Sequence, residues 1–167
     1  MSTTAATAVV IITGGGGFLG QCLASALVEK GHVLDNDHSH VPISKIVLAD
    51  IFFPPQLQPA LESSNVIKKV QGDVSDKAYC DALYQQTENA TFVSIFHLGA
   101  VMSGDGERDF DLCMRVNLHG FLNMMEGARK HVFDKLGVVP TFVFASAGAT
   151  IGSGAPTDYI TKHDTIS

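Results

Sequence analysis

The chain has 167 residues, 46% of them hydrophobic and 17% charged, which suits one globular domain with a sizeable core rather than a disordered chain. A formal net charge of −6 and the want of a basic patch with interleaved aromatics exclude a nucleic-acid backbone as the expected partner, and no apolar run reaches the roughly 18 residues of a membrane span. Met1 to Thr7 carries no basic residue, so no secretory leader is expected, and Cys22, Cys80 and Cys113 are odd in number and widely spaced, which suits reduced packing residues in a cytoplasmic protein better than a disulfide framework or zinc site.

Ala8 to Ile12 is an unbroken apolar segment, as expected of a strand buried on both faces. It runs into Thr13-Gly-Gly-Gly-Gly-Phe-Leu-Gly20, and Gln21 to Lys30 follows with helical spacing and a C-cap at Gly31. The glycines therefore fall on a tight strand-to-helix turn, where bare backbone N–H groups and a helix N-terminus attract phosphate. The spacing Gly14-x-x-Gly17-x-x-Gly20 assigns the turn, the pyrophosphate approach and the helix–strand contact to separate glycines, and predicts a dinucleotide site.

After Gly31, the segment His32 to Pro42 reads as a polar, solvated loop in which no element fixes Asp35, Asp37, His38 and His40 as metal ligands. Ile43 to Ala49 is the second predicted strand, ending at Asp50. Phe53-Pro-Pro55 and Pro59 break regular structure, with a short turn or helix through Leu61. Val66 to Val70 is the third strand, Ser75 the N-cap of a helix to about Gln86, and Phe92 to Phe96 the fourth strand. The longest predicted helix, Arg108 to Phe133, repeats Phe110, Met114, Leu118, Phe121, Leu122 and Met125 at three and four residues. Thr141 to Ser146 is the fifth strand. The alternation predicts an α/β, Rossmann-type doubly wound parallel sheet over residues 1–152, with an irregular tail over 153–167.

Position assigns several side chains work. Asp50 stands at a strand tip, where a carboxylate accepts from a ribose 2′-OH and repels a 2′-phosphate, which favours NAD over NADP. Asp73 is placed to accept from an adenine amino group, with Val74 against the ring. His97-Leu-Gly-Ala100 brings small residues and passing backbone to the nicotinamide end, and His97 itself reads as a packed, hydrogen-bonded histidine.

The glycine stretch, Asp50, Gly72-Asp-Val74, Phe96 to Ala100, Val116-Asn117 and Phe142 to Gly152 resemble the extended short-chain dehydrogenases, the NAD-dependent epimerase/dehydratase family. Within it, Gly99-Ala-Val-Met-Ser-Gly and Asp109 to Leu118 are similar to the D-erythronate dehydrogenase branch, which oxidises a sugar acid. The resemblance implies NAD as cofactor and a small-molecule substrate bearing a hydroxyl. It also implies NAD contacts from Gly14, Gly17, Phe18, Leu19, Gly20, Asp50, Asp73, Val74, Leu98 and Ala100, and a bracing role for Asn117. Relatives pair through two helices, so a homodimer through the helix around 108–133 is expected.

The chain departs from this pattern in two ways. Family members carry a catalytic Ser or Thr where this chain has Ala147; Ser146 is the neighbouring candidate hydroxyl, although alternation turns successive strand residues to opposite faces. Tyr159-Ile-Thr-Lys162 lacks the spacing of the family's Tyr-x-x-x-Lys pair, and the fold is expected to be C-terminally truncated. Two readings follow: an NAD-dependent oxidoreductase incomplete in this chain, or a shortened NAD-binding pseudoenzyme or non-redox isomerase.

Overall fold

The computed structural model describes residues 6–147. β1 (Ala8–Thr13) lies between β3 (His40–Asp50) and β5 (Phe92–His97) and is parallel to both. β4 (Ile67–Gln71) adds to the far side of β3 and β6 (Thr141–Phe144) to the far side of β5, both parallel. The parallel order is therefore β4-β3-β1-β5-β6, with the direction of winding reversing between β1 and β5. This is the predicted doubly wound sheet.

The period-2 alternation of strand side chains explains why both faces are covered. Val9 and Ile11 of β1 point into a cluster with Leu83, Tyr84, Met124 and Val132, beneath α3 (Lys77–Tyr84) and the long helix. Ala8, Val10 and Ile12 point the other way, to Ala24 and Leu27 of α1 (Phe18–Lys30) and to Leu61 of α2 (Pro59–Glu62). An apolar run with no polar alternation is what a strand between two helical layers requires.

α1 ends as expected, with Gly31 in the left-handed region at φ 72° and its N–H donating to the Leu27 carbonyl. Four expectations need correction. The segment His32 to Pro42 is not wholly loop: β2 (His32–Leu34) pairs antiparallel with the start of β3, as a hairpin. Its tip is closed by the Asp35 carboxylate, which accepts the Asp37 and Ser39 N–H groups, while His38 takes φ 61°. The N-cap of α3 is Asp76 rather than Ser75, its Oδ1 accepting the Ala78 N–H at 2.8 Å. The long helix is built in pieces. After α4 (Ser103–Arg108), Asp109 breaks the helical backbone and caps α5 (Phe110–Cys113); π-helical turns at Met114–Gly120 and Ala128–Asp134 then flank α6 (Phe121–Gly127). Finally, of the three cysteines expected to pack, only Cys80 is buried, with its thiol pushed up to about 12 by desolvation, whereas Cys113 on α5 is half-buried and Cys22 on α1 is exposed. The expected tail over 153–167 lies outside the described residues.

Candidate dinucleotide site

The reversal between β1 and β5 leaves a crevice at the carboxyl ends of the strands, where open α/β sheets hold their ligands. A cavity of about 660 Å³ occupies it. Its floor is backbone. Gly14 has φ 69°, and a Cβ there would sit 2.9 Å from the Gly99 nitrogen, so the glycine turn and the segment after β5 touch main chain to main chain. A Cβ on Gly20 would collide with the Gly14 carbonyl oxygen, which fixes how closely α1 approaches β1. α1 begins at Phe18 with no side-chain cap on its N-terminus, and the N–H groups of a first helical turn have no intrahelical acceptor. Those donors and the positive end of the helix face the cavity beside Gly17 and Leu19.

One wall is acidic. Asp50 ends β3, and its carboxylate accepts the Gly16 N–H at 2.9 Å through Oδ2 and the Phe52 N–H at 3.3 Å through Oδ1. Each oxygen keeps a lone pair for a ligand hydroxyl. Asp73 follows β4 and is held as a turn, its Oδ1 accepting the Ser75 N–H at 2.8 Å. Val74 is fixed from behind: its carbonyl accepts the Asn123 side-chain amide at 3.1 Å, while its side chain seats on Gly120 of the long helix.

The opposite wall is Leu98 to Met102. Thr13, fully buried at the end of β1, accepts the Gly99 N–H at 3.0 Å, and its hydroxyl lies 2.8 Å from Nδ1 of His97. Desolvation lowers the His97 pKa to about 4, so the ring is neutral at physiological pH and serves packing, as expected from the sequence. Asn117 braces this wall from the helix: its Oδ1 accepts the Val101 N–H at 2.7 Å and its Nδ2 donates to the Val101 carbonyl at 3.0 Å.

Every residue expected to contact the cofactor lines the cavity, and Asn117, expected to brace it, lies outside the lining with its amide engaged with Val101. Ser146 is exposed just past β6 and is not among the lining residues. Sequence reasoning missed Ile51, Met102, Leu112 and Val116, which supply apolar wall. The Leu112–Val116 spacing of one helical turn was the available signal. Among the described residues, no group of three His, Cys, Asp or Glu side chains could hold a metal, and no helix is long and apolar enough to cross a membrane.

Comparison with known proteins agrees with this geometry. The family model for the 3-beta hydroxysteroid dehydrogenase/isomerase family matches residues 11–165. The D-erythronate dehydrogenase of Cupriavidus necator is 38% identical over 147 residues, which is 88% of this chain and 41% of that protein. The crystal structure of a nucleoside-diphosphate-sugar epimerase from Agrobacterium tumefaciens superposes with a TM-score of 0.72 at 27% identity, covering 93% of this chain and 42% of that one. At 23% identity, the Bordetella bronchiseptica enzyme WbmH, solved in complex with NAD+, shares the fold with a TM-score of 0.56, over 75% of this chain and 36% of that one. The chain thus spans about two fifths of the length of the D-erythronate dehydrogenases it matches.

Proposed function

The chain belongs to the 3-beta hydroxysteroid dehydrogenase/isomerase family, and from that premise we propose that its cavity binds NAD and serves an epimerase/dehydratase-type oxidoreductase acting on a hydroxyl of a sugar acid or related small molecule. The observation that carries this reading is the Asp50 carboxylate, fixed above the glycine turn by the Gly16 and Phe52 N–H groups and open to a ribose diol. The residues fit the group: a floor on which Gly14 and Gly20 tolerate no Cβ, a helix N-terminus for pyrophosphate, and a volume in the range of about 300–1,000 Å³ usual for cofactor pockets.

When bound, NAD supplies the hydride acceptor. The chain's own residues then divide the work. The first-turn N–H groups of α1 meet the negative charge of the pyrophosphate. Asp50 accepts from the adenosine ribose and repels a 2′-phosphate, while Asp73 and Val74 receive the adenine. Leu98 to Ala100, held by Thr13 and Asn117, bound the nicotinamide end. Ser146, exposed just past β6 and outside the cavity lining, is the neighbouring candidate hydroxyl for the reacting oxygen of the substrate. The same reading assigns a cytoplasmic location and a homodimer contact to the long helix, where Leu118, Leu122 and Met125 recur on an exposed face.

Ala147 favours a second reading, because it stands where the family resemblance places a catalytic Ser or Thr: a dinucleotide-binding pseudoenzyme or non-redox isomerase. Titration with NADH and NADPH tests the shared core of both, with NADH expected to bind more tightly; equal affinities would remove the Asp50 assignment. Turnover of a sugar acid that disappears in Ser146→Ala would decide for the oxidoreductase; tight NADH binding without turnover is common to the second reading and to an oxidoreductase incomplete in this chain.

A further inference from the structure

Gly16, at the tip of the glycine turn, is held from both sides by side chains. Its N–H donates to Asp50 Oδ2 at 2.9 Å, and its carbonyl accepts from Gln21 Nε2 at 2.8 Å. The other end of the Gln21 amide is also used: Oε1 accepts the Gln58 N–H at 2.9 Å. Gln58 is in turn tied to α1, its Oε1 accepting the Ser25 hydroxyl at 2.6 Å. One partly buried amide on the first turn of α1 therefore joins the glycine turn to the segment that follows Asp50. That segment presses on Gly16 directly, since a Cβ at Gly16 would strike the Phe52 carbonyl oxygen.

We propose that Gln21 is a positioning residue for nucleotide selectivity: by holding the Gly16 carbonyl and the Gln58 N–H at once, it fixes the Asp50 carboxylate against the adenosine ribose, and so sets the preference for a free 2′-hydroxyl over a 2′-phosphate. This rests on the dinucleotide reading of the cavity. The physical basis is that Asp50 discriminates only while its position is rigid. A carboxylate free to swing away still tolerates a ribose diol weakly, but it no longer forces a 2′-phosphate to meet a negative charge. An amide is required because one end must donate and the other accept. Glutamate retains the acceptor for Gln58 but turns a second oxygen toward the Gly16 carbonyl; leucine retains the bulk alone.

The test measures NADH and NADPH dissociation constants by dihydronicotinamide fluorescence for the wild type, Gln21→Glu and Gln21→Leu, each alone and combined with Asp50→Asn. Thermal melts report that each variant is folded, and Gln21→Glu serves should Gln21→Leu fail to fold. We expect NADH binding to weaken about fivefold in either Gln21 variant, with NADPH unchanged or tighter, as one lost net hydrogen bond implies. In the Asp50→Asn background the Gln21 substitution should change NADH affinity less than about twofold, because the residue through which it acts is gone. Equal weakening of both nucleotides, or the same loss with and without Asp50, would reduce Gln21 to a structural role and overturn the proposal. A wild type that binds neither nucleotide overturns the dinucleotide reading itself, and the selectivity proposal with it.

Discussion

The hydroxyl of Thr13 lies 2.8 Å from Nδ1 of His97 and accepts the Gly99 N–H at 3.0 Å, so one buried side chain at the end of β1 ties down both the last residue of β5 and the cavity wall beyond it. Thr13→Val keeps the shape and removes the oxygen, leaving two polar groups without that partner. The expected loss is about 2 kcal/mol of unfolding free energy. Urea denaturation at pH 7 checks it, and an unchanged midpoint would show that the wall holds without Thr13.

Burial lowers His97 to about 4, whereas an unfolded histidine titrates near about 6.5. Between those values the unfolded chain binds a proton that the folded chain refuses. The His97 contribution is therefore complete above about pH 6.5, declines as pH falls toward about 4, and is level below that. The decline should be about 3 kcal/mol across the window, in a residue only 6% exposed. His97→Gln should be less stable at pH 7 yet lose less between pH 7 and about pH 4.5 than the wild type, by denaturant midpoints at each pH. Parallel curves would refute the assignment.

Gly14 and Gly31 share nearly the same backbone, φ 69° and 72°, but not the same surroundings. A Cβ at Gly31 meets nothing within 4 Å, whereas one at Gly14 lies 2.9 Å from both the Gly99 nitrogen and the Leu98 carbonyl carbon. Gly31→Ala should therefore cost about 1 kcal/mol from backbone strain alone. Gly14→Ala should cost roughly 2 kcal/mol more through overpacking, and should abolish dinucleotide binding. Equal thermal shifts for the two variants would contradict this.

Asn117→Asp separates the two halves of the brace on Val101. The carboxylate still accepts the Val101 N–H, but it faces the Val101 carbonyl with an oxygen instead of a donor. NADH affinity should fall about fivefold, by calorimetry, with little change in melting temperature because the residue is exposed. A large melting shift with unchanged affinity would place Asn117 in the fold rather than at the site.

The sheet and the glycine turn were legible because their cause is local. Ala8 to Ile12 has no polar alternation, and Gly31 ends a helical pattern; both readings hold in the structure. The hairpin of β2 and β3 was not legible, because Asp35, Asp37 and His38 at its tip make the whole segment look solvated, while Val33 and Val41 carry its core contact. Asp76 displaced Ser75 as a cap because both residue types serve, and only the backbone entering α3 chooses between them. The role of Gln21 was invisible for another reason. Its partners, Gly16 and Gln58, lie on either side of a helix and a hairpin, and no spacing rule joins an amide to two backbone groups so far apart in sequence.

Because Gly14 meets Gly99 backbone to backbone, the floor of the cavity offers no side chain that substitution could tune. A designer seeking a different nucleotide preference has the rim instead, at the exposed Ile51 and Met102, whereas an exchange at Asp50 also removes its hold on the Gly16 N–H of the turn. The hard part of the site is the part with nothing to change, and its chemistry is adjustable only around the edge.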